Sequence, residues 1–393
     1  MVATPLYLGK CLHIPLNTKI ENLQNYFSGA TGTISVGGQA LLVPPYQVGL
    51  TSPYNLENAL LIYMTSNKDK TKKSSKLIFR DKINVKKVEE KNVGFLKLHY
   101  LHLKGLNPGH SYEYEITNSP IIGSVNTSTL KDKYFKFLLS SDTQNWDGSQ
   151  RYDNIKFALV KHMLRERDIK SQLPKLLMNC GDVTQHSRIS EWVIHFNKTF
   201  HKLLAEMPFY AVKGNHDYKG GAFDKALGYK VNIPGIPIIN NQSVNYSFDY
   251  GPIHFVVLDS NTGHKITNHY IAKKFLEDDL KKSSGQFNLV FYHHPFEIAM
   301  DDLPVDGVFA GHWHTYKRLQ HYKTKVPHII LGGFSKLFAN ELNGWQPSLN
   351  GLKIITAQNI HHYISMSFLE NKILGEVKDK YGTINDVFTI NKR

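Results

Sequence analysis

The chain has 393 residues, 41% of them hydrophobic, and a formal net charge of +14, enough apolar content for one large domain or two. No run approaches the ~18 apolar residues of a membrane span, and the N-terminal MVATPLYLGKCLHIPLNTKI lacks a basic segment followed by a long apolar one. Two cysteines, Cys11 and Cys180, exclude a disulfide framework, so the expectation is a protein without a membrane partner, cytoplasmic or exported without a cleaved signal.

Asn-x-Ser/Thr sequons begin at Asn126, Asn197, Asn241 and Asn245 and, without a signal peptide, read as chance. The positive charge favours anionic partners: phosphate esters, nucleic acid or an acidic surface. Part of it lies in Lys68, Lys70, Lys72, Lys73 and Lys76, a cluster with no aromatic residue for base stacking. It reads as a solvated hairpin loop, which argues against nucleic acid.

Up to about residue 130 short β-like runs alternate with polar loops. Residues 59–64, 76–79, 95–100 and 111–116 are expected strands, with a turn at 103–109. A small β-sandwich over 1–130 follows, and nothing in it looks chemical. From Lys131 to residue 393 apolar strands alternate with amphipathic helices. Residues 135–141 form a strand ending in Asp142. Ile155, Ala158, Leu159 and Met163 share one face of a helix that Asp153 could cap. Residues 175–180 form a strand running into Gly181-Asp182, and Trp192, Phe196, Phe200, Leu203 and Leu204 mark a helix that Pro208 stops. Further strands are expected at 208–211, 254–258, 289–292 and 307–310, before a β-rich tail at 361–390.

Metal-capable side chains recur at one kind of place, the C-terminal end of an apolar strand, where ligands bind in open α/β sheets. They are Asp142, Asp182, Asn215, His293, His312 and His314, with His216 beside them. An aspartate there is ordinarily a turn residue or cap, and His-x-His is ordinarily an exposed strand face. Their joint recurrence in one region is what points to chemistry. Two carboxylates, an amide and three imidazoles suit a pair of borderline ions such as zinc, iron or manganese. Water between two such ions becomes a nucleophile at neutral pH.

The series SDTQ at 141–144, GDVTQ at 181–185, GNHD at 214–217, YHHP at 292–295 and GHWHTYKR at 311–318 resembles the calcineurin-like metallophosphoesterase superfamily, and within it the purple acid phosphatases. LHLKGLNPGHSYEYEI at 101–116, NYSFDYGPIHFVVLDS at 245–260 and KDKYGTINDVFTINKR at 378–393 support the narrower likeness. The resemblance implies an α/β fold, a two-sheet α-β-β-α sandwich, preceded by an all-β, fibronectin type III-like sandwich domain. It also implies two divalent or mixed-valence metal ions. Asp142 and His314 would hold the first, Asp182 would bridge, and Asn215, His293 and His312 would complete the second. His216 would contact the phosphate or protonate the leaving group, Asp217 would orient it, and His294 would lie in the cleft or behind the ligands.

The chain departs from the family where an extra first-site ligand is usual. Purple acid phosphatases place a tyrosine three residues after the bridging aspartate, where Gln185 stands, and many relatives place a histidine where Gln144 stands. Gln144, Gln185, His186 or water could fill the position. Gly311 also follows His293 by only 18 positions, so a short cleft rim is expected. The implied reaction is hydrolysis of phosphate monoesters, on a small molecule or a phosphoprotein, by a hydroxide between the two metals. A phosphodiesterase acting on nucleotides or glycerophosphodiesters at the same site, or a non-catalytic binding protein on the same scaffold, are the rival readings.

Overall fold

A computed structural model describes residues 42–48, 57–66, 77–93, 96–116, 122–129, 131–229, 244–261, 267–295, 298, 300, 302–343 and 351–392. The lysine cluster at 68–76 and the sequon at Asn241 lie outside the described residues. Two large sheets carry the molecule. One has ten strands and runs from the C-terminal strands Ile384–Asn391, Lys372–Asp379 and His362–Leu369 through its centre to N-terminal strands; the other has seven, edged by Tyr246–Tyr250 and Leu352–Gln358. The first brings together β8 (Tyr134–Ser140), β9 (Leu177–Asn179) and β10 (Phe209–Ala211), all parallel. The second centres on β12 (Ile253–Val257), β13 (Phe287–Tyr292), β14 (Gly307–Ala310) and β16 (Pro327–Leu331), again parallel.

These strands are apolar on both faces because both faces are covered. Between the sheets Phe137, Tyr210, Phe248, Phe255, Phe291 and Phe309 are essentially excluded from solvent. Their rings form a ladder, with Phe248 stacked on Tyr210 at 3.7 Å and on Phe255 at 4.7 Å, and Phe291 on Phe309 at 4.9 Å. Each such side chain contributes about 1.5–3 kcal/mol on burial, which makes the strand ends above them a rigid platform. Outside the ten-stranded sheet lie α1 (Gln150–Met163) and α2 (Lys198–Leu204). On the far face of the seven-stranded sheet α3 (Thr267–Leu280) packs Ala272, Leu276 and Leu280 against Val256, Val290 and Val308. The α-β-β-α order is the one expected.

Two helical details differ from expectation. Asp153 does not cap α1: Ser149 holds the N-cap position, and the Asp153 carboxylate turns inward to Lys156 at 2.9 Å and His195 at 3.1 Å. Burial of Lys156, with no exposed surface, demands that counter-charge more than the helix end demands a cap. The helix from Trp192 is not uniform either, since residues Trp192–Asn197 wind as a π-helix before α2 begins. Asn197 is buried within it, so that sequon is closed in the folded chain.

On the N-terminal side, β2 (Asn58–Ser66) and β5 (Leu96–Lys104) extend the ten-stranded sheet through β1 (Leu42–Val48), whose Val48 pairs in parallel with Phe209. Alternation sorts β2: Leu60, Ile62 and Met64 join the main core, while Ala59 and Leu61 face a separate cluster with Tyr112, Tyr114 and Val125 of a three-stranded sheet. Strand β4 (Asn84–Val93), unforeseen in the sequence, is the outer edge of the large sheet and is rich in Lys and Glu, the composition that keeps an edge from pairing with other chains. The division at residue 130 stands as a proposal, with one sheet running across it. No helix among the described residues is long and apolar enough to cross a membrane.

His254, on β12 well away from the strand ends that face the other sheet's motifs, lies between Asp249 (2.6 Å) and Asp279 (2.9 Å). Burial would lower its pKa, but the two carboxylates outweigh that and push it up to about 9. A raised folded-state pKa stabilises below the unfolded value of ~6.5 and is lost as pH climbs through about 9. Urea denaturation between pH 6 and 9.5 should therefore show up to about 3 kcal/mol of stability lost, and H254Q should flatten that part of the profile.

Candidate active site

Each motif hangs from the C-terminal end of a parallel strand. Asp142 follows β8, Asp182 follows β9, Asn215 and His216 follow β10, His293 follows β13, and His312 and His314 occupy the turn between β14 and β15 (Tyr316–His321). The ten-stranded sheet thus delivers the carboxylates and the amide, and the seven-stranded sheet delivers the imidazoles. A bond from His293 Nδ1 to the Cys180 carbonyl, 2.8 Å, ties the two edges together.

The six side chains converge. Asn215 Oδ1 stands 3.1 Å from both His293 Nε2 and His312 Nδ1. Asp182 Oδ2 is 3.4 Å from His293 Nε2, and Asp142 Oδ1 is 3.4 Å from His314 Nε2. Candidate ligand atoms of Asp142, Asp182 and His293 all lie within 4.8 Å of one another. Asp182 stands between the two groups, because its Oδ2 is also 3.4 Å from Gln144 Nε2, which in turn is 3.5 Å from His314 Nε2.

The backbone is bent to achieve this. Asp142, Asp182 and His312 adopt left-handed conformations, with φ of 53°, 53° and 67°, each costing about 1–3 kcal/mol for a residue with a side chain. Glycine is needed where the loops touch: a Cβ on Gly311 would meet Ser141 Oγ at 2.1 Å, and one on Gly214 would meet Asp182 Oδ1 at 2.1 Å.

The donor set fits a pair of divalent cations. Asp142 and Asp182 are buried, at 0% and 2% exposure, and Asp142 Oδ1 has no hydrogen bond. Two carboxylates enclosed this closely need positive charge between them. Within the chain alone that demand falls on His293: burial would lower its pKa, yet Asp182 and Asp142 hold it up at about 9. The remaining lone pairs are used to aim the groups, since Asp142 Oδ2 accepts from Ser141 Oγ at 2.6 Å and from the His312 amide at 3.0 Å.

His216 sits at the rim, its Nε2 3.8 Å from Asp182 Oδ2 and its Nδ1 2.7 Å from the Gln185 carbonyl. Lys219 Nζ lies 2.9 Å from the same Nδ1. The two contacts exclude one another, because a proton there serves the carbonyl and a lone pair serves the ammonium.

Asp217 does not orient His216 as expected. Its carboxylate accepts instead from the amides of Gly214 (3.0 Å), Val183 (3.1 Å) and Thr184 (3.4 Å). It braces the GNHD loop against the GDVT loop; burial and the neighbouring Asp182 raise its pKa. His294 stands beside His293 and His312, with ring centroids 4.9 and 4.4 Å away. Ser260 Oγ accepts from the His293 and His294 amides (3.1 and 2.8 Å) and lies 3.1 Å from His294 Nδ1. Burial, then His293 and His312, hold the ring neutral.

Residues 135–316 match the calcineurin-like phosphoesterase family. That stretch is thus similar to calcineurin-like phosphoesterases. Purple acid phosphatase 23 of Arabidopsis thaliana is 28% identical over 141 residues, 30% of this chain and 30% of that protein. Purple acid phosphatase 21 of the same plant is 22% identical over 250 residues, 57% of this chain and 54% of that protein. The chain thus aligns with about a third to a half of the length of these relatives. The structure of purple acid phosphatase PPD1 from yellow lupin (Lupinus luteus) seeds superposes with a TM-score of 0.66 at 15% identity, covering 89% of this chain and 74% of that one, which establishes the shared phosphoesterase fold.

The sequence reading missed a wall beside this domain's site. Trp146 lies 6.1 Å from the His216 ring and 6.0 Å from that of His314, with Phe338 edge-on at 5.4 Å and the Lys336 ammonium 3.7 Å above the indole. Its place four residues after Asp142 was the available signal. Lys336 and Phe338 carried none, since they come from a loop distant in sequence.

Removing the Asp217 brace strands three buried amides, each worth about 1–3 kcal/mol when unpaired. D217A should therefore lose at least ~3 kcal/mol in urea denaturation.

Proposed function

We propose that the protein is a metal-dependent phosphatase that hydrolyses phosphate monoesters. The observation that carries this reading is the convergence of Asp142, Asp182, Asn215, His293, His312 and His314 on one buried point with His216 at its rim. Asp142 and His314 would hold one ion, Asn215, His293 and His312 the other, and Asp182 both. Bound ions would neutralise the phosphoryl oxygens and activate water for in-line attack.

The chain's own groups do the rest. Ser141, the His312 amide and the His216 amide fix the carboxylates. The Gln185 carbonyl accepts a hydrogen bond from Nδ1–H of His216 and leaves Nε2 facing the site, so that the imidazolium form would turn an Nε2–H toward the leaving oxygen and protonate it. Trp146 and Phe338 form one side of the entrance, and the exposed Lys219 adds positive potential beside His216.

Turnover of p-nitrophenyl phosphate and of bis-p-nitrophenyl phosphate tests the reading together with elemental analysis. The parent should hold two ions and prefer the monoester. D182N should lose both metal and turnover. H216A should keep its metal and lose about 10²–10⁴-fold in kcat. Parent-like rates from both variants would end the proposal, and a preference for the diester would move it to a phosphodiesterase.

A further inference from the structure

We propose that Gln144 is itself a metal ligand: its side-chain oxygen completes the first position with Asp142, Asp182 and His314, making that position oxygen-rich and the second imidazole-rich. The proposal rests on the phosphatase reading only for the existence of the two ions. Gln144 is 1% exposed, and its Oε1 is buried without a hydrogen-bond partner. The other end of the same amide, Nε2, lies 3.4 Å from Asp182 Oδ2 and 3.5 Å from His314 Nε2, two atoms that would themselves ligate. Its backbone is clamped as well, the Gln144 amide donating to the Asp182 carbonyl at 3.1 Å.

A half-turn about Cγ–Cδ exchanges the two amide atoms and places Oε1 between Asp182 and His314. A cation there selects that orientation, since it repels an N–H and attracts a carbonyl. The turn gives the stranded oxygen the cation as its partner and moves the amide nitrogen into the space that Oε1 leaves. The neighbouring candidates are less suited. The His186 side chain is 44% exposed and turned to Glu191, with no hydrogen bond or ion pair to a candidate ligand among the described residues. Gln185 also has a buried, unpartnered Oε1, but no hydrogen bond or ion pair joins its side chain to a candidate ligand among the described residues.

The two positions then differ in chemistry. The first would have two carboxylates, an amide oxygen and one imidazole; the second shares Asp182 and adds Asn215 and two imidazoles. Oxygen donors suit manganese and imidazoles suit zinc. A neutral amide brings no anionic donor for a ferric ion, so the protein should lack a phenolate charge-transfer band.

The test is made on the full chain after chelation, with one equivalent of zinc followed by a manganese titration read by elemental analysis and manganese EPR. The parent should retain one zinc and one manganese. Q144L should keep the zinc and bind manganese at least about 10-fold more weakly, Q144H should restore it, and Q185L should match the parent, all with parent-like circular dichroism in the metal-free state. Undiminished manganese binding by Q144L, or its loss in Q185L alone, overturns the assignment, as does a parent that takes no manganese after zinc. A parent that binds both ions but releases no phosphate would end the phosphatase reading and leave the ligand assignment standing. An active parent whose Q144L variant keeps both ions would do the reverse.

Discussion

Asp142 and Asp182 enclose two negative charges almost without solvent, and much of the structure answers to that constraint. Their ligand oxygens lie within 4.8 Å of a His293 nitrogen and of each other, a spacing that repulsion would open unless the backbone and a counter-charge held it. The aromatic ladder between the sheets supplies the rigidity. The left-handed turns at Asp142, Asp182 and His312 supply the direction. Strain of this kind persists only where surrounding packing over-determines it, and the buried strands beneath each turn do so.

Behind the converging groups stands a layer of polar braces, each linking elements far apart in sequence. Asp217 joins two loops of the ten-stranded sheet, and Ser260 holds the amides of His293 and His294 on the other. Glu341 receives the His314 amide. Farther back, Asn145 donates to Asp153, which also pairs with Lys156 and His195. That network carries the position of the SDTQN loop into α1 and the π-helical turn. Extra-wide turns of this kind recur near functional sites, and here the turn brings His195 Nδ1 to Asp153 and the His195 carbonyl to Lys156 Nζ.

The rim contrasts with this closed interior. Trp146, Phe338, Lys336 and Lys219 bring aromatic surface and positive charge to one side of His216. In a chain of net charge +14 such a mouth presents positive potential to anionic groups.

The sequence by itself determined the strand ends and what they carry. Apolar runs of strand length followed by Asp, Asn or His are local patterns, so Asp142, Asp182, Asn215, His293, His312 and His314 were legible as a set, as was the two-sheet architecture through the family resemblance. Tertiary structure decided the rest. Asp217 looked like a partner for its neighbour His216 but is spent on amides from a loop more than thirty residues earlier. Asp153 looked like a cap but answers a buried lysine and a histidine on another helix. Lys156 and the Gly214 amide are near in sequence, but His195 and the Val183 and Thr184 amides carry no local mark, because a buried polar group is satisfied by whichever donor the packing brings to it, and packing is a property of the whole fold.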